Sequence, residues 1–111
     1  MAGIKETKDQ KVIRKLAGLK RVEWKKHALK RILERDISRQ SVFNVLKSGE
    51  IIESYLQDNL LPAFLILGYD KQDPLHLVVA LDQENRLLWI ITVYRPTLEE
   101  WDAGFKIRRK K

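Results

Sequence analysis

Residues 74–96 constrain the fold more than any other stretch, because two apolar runs flank a polar tract at 82–86. The runs are rich in Val, Ile, Leu and Trp, which suit a pleated surface, while Asp and Asn in the tract suit a turn. The pattern therefore predicts a β-hairpin. Both runs are too apolar for strands with one wet face, which favours a central pair covered on both sides. The few polar groups are candidates for chemistry: His76 within the first run, and Thr92, Tyr94 and Arg95 near the end of the second.

Before this hairpin, the spacing of apolar residues is first helical and then typical of strands. The predicted elements are a helix over 22–36, a helix from Ser38 to Gly49, a strand at 51–56, a loop at 57–62 and a strand at 63–69. Ser38 is a favourable N-cap and Gly49 a natural helix stop. The change from a period of 3.6 to a period near 2 marks the passage from helices to sheet.

A capping box at 97–100, Thr-Leu-Glu-Glu, follows the hairpin and predicts a last helix that runs to about Phe105. The predicted fold class is therefore α+β, with two N-terminal helices packed on a four-stranded, mainly antiparallel sheet and a short C-terminal helix. The 111 residues suit one domain. We place that domain at 21–105, between a basic extension at 1–20 and a basic tail at 106–111.

The extension at 1–20 contains Val12, Ile13, Leu16 and Ala17 at helical spacing. This spacing is compatible with a basic amphipathic helix that docks on the domain, on a partner protein or on RNA. It is equally compatible with a segment that orders only when a partner binds.

Charge is distributed unevenly along the chain, whose net charge is +7. Residues 1–31 sum to +8, residues 32–105 to −6 and residues 106–111 to +5. Basic ends around an acidic middle predict a polyanionic partner, and nucleic acid is the leading candidate. The alternative is a solvated tail together with a charged helix face.

Several classes of site and compartment are disfavoured by composition. Without cysteine the chain has no disulfide, thiol nucleophile or thiolate metal ligand. The two histidines lack metal-ligand spacing, and no glycine-rich phosphate loop is present, so we expect neither a metal nor a cofactor. Apolar runs are too short to span a membrane, and the Lys-rich start lacks the apolar core of a secretory signal. We expect a cytoplasmic protein without a membrane partner.

A cationic and phenolic set of side chains remains for chemistry: His27, Arg31, Arg35, Tyr69, His76, Tyr94 and Arg95. Such a set is suited to cutting RNA without a metal, because guanidinium groups hold the scissile phosphate and the 2′-hydroxyl is the nucleophile. We assign Arg31 and Arg35 as phosphate clamps, His76 as general base or acid, and Tyr94 as its proton-transfer partner. His27 would bind or orient the RNA. The hypothesis requires one hollow, accessible to solvent, that gathers these groups.

Basic residues near the end of the domain would add affinity for RNA or the ribosome: Arg95, Lys106, Arg108 and Arg109. Each residue in the candidate set also has a structural alternative. His76 suits a core histidine bonded to the backbone, and His27 a partner of Glu23. Arg35 suits a side chain whose stem packs on the apolar stripe, and Arg31 a solvated side chain. The run from Tyr94 to Pro96 suits the end of a strand that leads into the last helix.

Several motifs in order resemble an uncharacterised prokaryotic family, domain of unknown function 4258. They are His27 to Arg35, then Ile37-Ser38, Gly49 to Ile52, Pro74 to Val79, Ile91 to Pro96, Trp101 and Arg108-Arg109. The resemblance covers roughly residues 22–109 and leaves out residues 1–20. The chain has Asp36 where the family usually has a small residue, which affects the turn between the helices.

The family is similar to the RelE/ParE-like toxins of toxin–antitoxin systems. That resemblance implies two helices on a curved antiparallel sheet, a small antitoxin protein as partner, and a homodimer as one possible assembly. It implies three functions: a metal-independent endoribonuclease that cleaves mRNA, a binding module without catalysis, or an inhibitor of DNA gyrase. The first is our leading expectation, argued from analogy.

Overall fold

Three helices and five strands make up the part of the chain that the computed structural model describes, residues 6–56 and 61–110. In chain order they are α1 (Lys8–Gly18), β1 (Val22–Trp24), α2 (Lys26–Glu34), α3 (Arg39–Ser48), β2 (Glu50–Tyr55), β3 (Ala63–Asp70), β4 (Asp73–Asp82) and β5 (Leu87–Tyr94). Most of the loop predicted at 57–62 lies outside the described residues. Among those residues, no helix has the length and apolar character needed to cross a membrane.

The strands form one sheet in the order β1-β5-β4-β3-β2. From β2 to β5, each strand pairs antiparallel with the next strand along the chain, whereas β1 pairs parallel with β5. The predicted hairpin is confirmed, since β4 and β5 are joined through the polar turn and lie inside the sheet. An irregularity between Val78 and Val79 shifts the register within this pair.

The helices cover one face of the sheet. Leu75, Leu77, Val79 and Leu81 of β4 point into this core, because alternate residues of a strand share a face. Helix α3 packs on β3, and α2 packs on β5. Helix α1 packs on α3 through a stripe of buried side chains, so residues within the segment predicted as an extension contribute to the core.

The predicted helix over 22–36 is wrong at its start. Val22–Trp24 is a strand that pairs with β5 residue by residue, and α2 begins only at Lys26. The sheet therefore has five strands rather than the predicted four, and α1 brings the helix count to three. A three-residue strand is too short for a period to be visible, and an unpaired edge of β5 supplies its backbone partners.

The predicted C-terminal helix is also wrong. The N–H groups of Glu100 and Trp101 both donate to the Thr97 carbonyl, which makes one turn and no more. The chain then reverses through Phe105, whose φ is 59°, and Trp101 pairs with Arg108. Trp101 is only 2% exposed, so its burial against the sheet outweighs the helical preference of the capping box.

Gly68 in β3 provides a test of the packing between α3 and the sheet. A Cβ at this position would lie 2.7 Å and 2.8 Å from the two methyl groups of Val45, in a strand that is paired on both sides. We expect Gly68→Ala to lower the free energy of unfolding by about 1–3 kcal/mol, the usual cost of overpacking. Chemical denaturation measures this difference.

Gly18→Ala is the matched control, because a Cβ at Gly18 meets nothing within 4 Å. We expect this variant to stay within about 0.5–1 kcal/mol of the wild-type protein. Equal stabilities of the two variants would contradict the close packing of β3 against Val45.

Candidate functional site

The sheet face opposite the helices carries a polar cluster at one end. Glu53 and Tyr55 of β2 lie on this face, as do His76 of β4 and Tyr94 of β5, which are direct cross-strand neighbours. Residues 97–110, here called the C-terminal segment, cover this end of the face. Alternation along each strand places the four side chains together, and antiparallel pairing aligns them across the sheet.

His76 is fully buried and both of its ring nitrogens have partners. Nε2 lies 2.8 Å from the Phe105 carbonyl oxygen, and Nδ1 lies 3.0 Å from the Tyr94 hydroxyl. A carbonyl only accepts, so Nε2 of the neutral ring donates to Phe105 and Nδ1 accepts from Tyr94. The Trp101 ring packs edge-on against the imidazole, with the centroids 4.5 Å apart. The Tyr94 hydroxyl is thus the donor, and His76 Nδ1 the acceptor, of the hydrogen bond that joins them.

Burial sets the protonation of both members of this pair. Desolvation lowers the pKa of His76, opposed by the hydrogen bond to Phe105 and by the charge of Glu53. Desolvation likewise raises the pKa of the Tyr94 phenol. Both groups are therefore neutral at neutral pH, and this is the state that the hydrogen-bond pattern requires.

An ion pair ties the C-terminal segment to the sheet. Arg108 donates from Nε and Nη2 to the two carboxylate oxygens of Glu53, at 2.9 Å and 3.1 Å. The Tyr55 hydroxyl donates to the same carboxylate. The Arg108 hydrogen bond is the largest cause of a lowered pKa at Glu53, and the bond to Glu53 raises the pKa of Arg108. The Arg108 guanidinium also lies 4.6 Å from the centroid of the Trp101 ring.

An open pocket of about 480 Å³ lies beside this cluster. We call it the arginine pocket; it is lined by Arg35, Tyr94, Arg95, Glu100, Trp101 and Arg108. Backbone carbonyls orient two of the arginines. Arg35 donates to the Val93 carbonyl, and Arg95 donates to the Arg35 carbonyl at 2.6 Å. Three guanidinium groups against one lining carboxylate give the pocket a positive balance.

The structure brings some of the predicted site residues together and separates others. Arg35, Tyr94, Arg95 and Arg108 line the arginine pocket. His76 reaches it only through Tyr94, so the expectation of an imidazole accessible to solvent is corrected: the C-terminal segment covers it. Arg31 does not line the pocket, since it is exposed on α2 and pairs with Glu34 at 3.1 Å.

The other predicted RNA-binding residues lie around the cluster or away from it. Lys106 pairs with Glu50 at 2.7 Å, and Arg109 donates to the Leu98 and Trp101 carbonyls, so both hold the C-terminal segment. His27 is exposed on α2. None of these three lines the arginine pocket within the described part of the chain.

Sequence reasoning missed Glu53, Tyr55, Glu100 and Trp101 as members or supports of the site. A signal for the first two was present in the run Ile-Ile-Glu-Ser-Tyr of β2. A period of two places Glu53 and Tyr55 on one face of the strand, where an acid within an apolar run needs a partner. That partner, Arg108, is too distant in sequence for a local pattern to identify.

The fold and the site together define an α+β protein with helices on one sheet face and a cationic, aromatic pocket on the other. The family model described as "Domain of unknown function (DUF4258)" matches residues 24–95. This match covers more than half of the chain, and the protein belongs to that family. Searches of curated proteins and of solved structures found no match. No metal-binding cluster of three or more His, Cys, Asp or Glu occurs in residues 6–56 and 61–110.

The buried imidazole predicts a specific dependence of stability on pH. The folded-state pKa of His76 lies below its unfolded value, so its contribution to stability is complete above about pH 6.5 and is lost as pH falls through the folded pKa. We expect the unfolding free energy of His76→Gln to be lower than wild type at pH 7.5. The gap should narrow toward pH 5, because only the wild type has this histidine to protonate.

Urea unfolding of both proteins from pH 7.5 to pH 5 measures the gap. Glu53 titrates at lower pH, since the hydrogen bond from Arg108 lowers the pKa of its carboxyl group, and it leaves this window clear. A gap that is constant or that widens toward pH 5 would show that the imidazole is not held in its neutral form.

Proposed function

We propose that this protein binds the phosphate backbone of RNA in the arginine pocket. The observation that carries the proposal is the convergence of Arg35, Arg95 and Arg108 on one open pocket of about 480 Å³. Planar guanidinium groups match phosphate oxygens with paired hydrogen bonds. Carbonyls orient Arg35 and Arg95 before any ligand arrives, which lowers the entropy cost of binding.

A polyanion is favoured over a small anion by charge outside the pocket. The net charge of +7 and the basic ends attract a long phosphate chain through a nonspecific, salt-dependent contribution. The negative charges of Glu100 in the lining and of Glu53 behind Arg108 reduce the positive potential of the pocket. Its affinity for one isolated phosphate should therefore be modest. RNA in the cytosol is the partner we propose, on its own or within the ribosome.

A second candidate function is cleavage of that RNA without a metal, and the Tyr94–His76 hydrogen bond is the observation that favours it. The 2′-hydroxyl passes its proton to the Tyr94 oxygen while Tyr94 passes its own to His76 Nδ1. The 2′-oxygen forms a bond to phosphorus, the bond to the 5′-oxygen breaks, and the leaving oxygen takes a proton from water. The hydroxide that remains recovers the proton from His76 through Tyr94, which restores both groups. The products are a 2′,3′-cyclic phosphate and a 5′-hydroxyl, and the arginines stabilise the charge on the phosphate.

The third element of the proposal is a role as a RelE/ParE-type toxin with a small antitoxin as its partner. Two features support it: the family membership, and a site on the open sheet face rather than under the helices. A small protein that covers this face would block the arginine pocket. A binding module without catalysis keeps the first proposal and loses the second, because His76 is sealed beneath the C-terminal segment.

RNA affinity tests the arginine pocket. We expect Arg95→Gln to weaken binding of a fluorescent RNA oligonucleotide about tenfold, as loss of a hydrogen bond to a charged group implies. The slope of log affinity against log salt should fall by about one. Glu100→Gln should strengthen binding about twofold, since one repulsive charge leaves the lining. Fluorescence anisotropy across a salt series measures all three quantities.

Arg31→Gln is the control with the same change in charge, because Arg31 is exposed and paired with Glu34 outside the pocket. It should retain most of the wild-type affinity. Equal losses in Arg95→Gln and Arg31→Gln would mean that net charge alone binds RNA, and the pocket would have no special part.

Cleavage of a labelled RNA in EDTA tests the second candidate. We expect Tyr94→Phe and His76→Gln each to reduce the rate about 100-fold or more, the usual scale for loss of a proton-transfer group. The wild-type rate should hold at pH 6.5 and fall at lower pH, because protonation of His76 removes the acceptor and its pKa is lowered. Mass spectrometry identifies the cyclic phosphate.

Tyr69→Phe is the control, since Tyr69 is 51% exposed and lies outside the arginine pocket. It should cleave at the wild-type rate. Assays run with and without ribosomes cover both substrate forms. An absence of cleavage by the wild type in every condition, together with intact RNA binding, would leave the binding module alone.

A further inference from the structure

A second open groove lies on the same sheet face as the arginine pocket. It has a volume of about 430 Å³ and we call it the tryptophan groove; its lining includes Lys25, Tyr55, Ala63, Ala80, Trp89 and Ile91. The cross-strand register aligns four of these residues in one row, Tyr55, Ala63, Ala80 and Trp89, across four strands. The floor therefore combines two aromatic rings with two small side chains.

The chemistry of this groove suits a flat, electron-rich ring beside a negative charge. Trp89 is partly exposed on the sheet, and the small side chains of Ala63 and Ala80 leave room next to its ring. The Lys25 ammonium lies 4.6 Å from the centroid of the Trp89 ring. A base that stacks on Trp89 would displace this ammonium, and the flexible lysine side chain would then reach the adjoining phosphate.

The two sites lie near each other on the same sheet face. On β4, His76 lies in the row of the arginine pocket and Ala80 in the row of the tryptophan groove. Four residues of strand separate the two rows by about 13 Å. Val78 and Thr92, in the row between them, are partly exposed on the same face. Tyr55 lines the groove, and its hydroxyl bonds Glu53, which holds the Arg108 of the arginine pocket. A short segment of one strand can therefore contact both sites.

We infer that the tryptophan groove binds an unpaired base of the same RNA strand whose backbone occupies the arginine pocket, and that the protein therefore selects single-stranded over duplex RNA. The inference rests on the proposed RNA-binding function and specifies its substrate class. A base in a duplex is stacked and paired, so it cannot enter the groove without being extruded. The apolar floor and the neighbouring ammonium supply the stacking and charge that single-strand readers combine.

The experiment measures anisotropy with three fluorescent probes that carry 2′-O-methyl groups to prevent cleavage: a single-stranded oligonucleotide, the same strand with abasic residues, and a duplex. We expect the wild type to bind the single strand about tenfold or more tightly than the abasic strand, the scale of one base–aromatic stack. It should also prefer the single strand to the duplex. Trp89→Leu should lose these preferences and keep its affinity for the abasic strand. Trp89→Phe should retain most of them, because it keeps an aromatic face.

Thermal unfolding midpoints for the two Trp89 variants establish that both are folded at the assay temperature. Loss of affinity in Arg95→Gln but not in Trp89→Leu would overturn the groove and leave the arginine pocket in place. The reverse result would support the groove and overturn the pocket. Equal wild-type affinity for the intact and abasic strands would also overturn base binding in the tryptophan groove. The groove would then be left to an apolar side chain of a protein partner.

Discussion

Burial of strand β4 on both faces is the constraint on which the rest of the structure depends. One face is covered by the helices, and there Leu77 and Val79 need only apolar neighbours. The other face carries His76, which is equally buried but polar. A buried polar atom without a partner costs about 1–3 kcal/mol, so both ring nitrogens require one. Tyr94 of the neighbouring strand is the partner of Nδ1, and the Phe105 carbonyl of the C-terminal segment is the partner of Nε2.

The same requirement assembles the candidate site. Once Phe105 is held against the imidazole, the chain that follows brings Arg108 to Glu53, and Trp101 fills the space beside both. The arginine pocket opens at the rim of this packing, with Tyr94 as the link between its interior and the buried ring. Stability and ligand binding therefore depend on shared contacts, and a change in the C-terminal segment acts on both.

Local patterns in the sequence predicted much of the fold, because they report which residues share a face. Two apolar runs around a polar tract identified the hairpin, and the cap at Ser38 identified α3. Helix α1 was visible only as helical spacing of apolar residues. That spacing does not show what the helix packs on. The three-residue β1 was predicted as helix, and the capping box at 97–100 was predicted to start a helix that does not form. In both places tertiary pairing or the burial of Trp101 outweighs weak local preferences.

The site was less accessible to prediction than the fold. The pairing of His76 with Tyr94 depends on a register that an irregularity beside Val78 shifts, and no local rule fixes such a shift. Arg31 and Arg35 were equivalent as positions one helical turn apart. Arg35 follows the last residue of α2 and donates to Val93, whereas Arg31 remains on the exposed helix surface. The end of the helix therefore distinguished two arginines that spacing alone treats alike.

The parallel pairing of β1 with β5 joins two segments that lie far apart in the sequence. During synthesis, Val22–Trp24 emerges long before Leu87–Tyr94 and has no partner until that last strand is made. Closing contacts so distant in sequence slows folding, because the loop entropy is lost before the pairing compensates for it. Helix α2, which packs on β5, must therefore wait for that strand, and its apolar face stays exposed to chaperones until β5 is made.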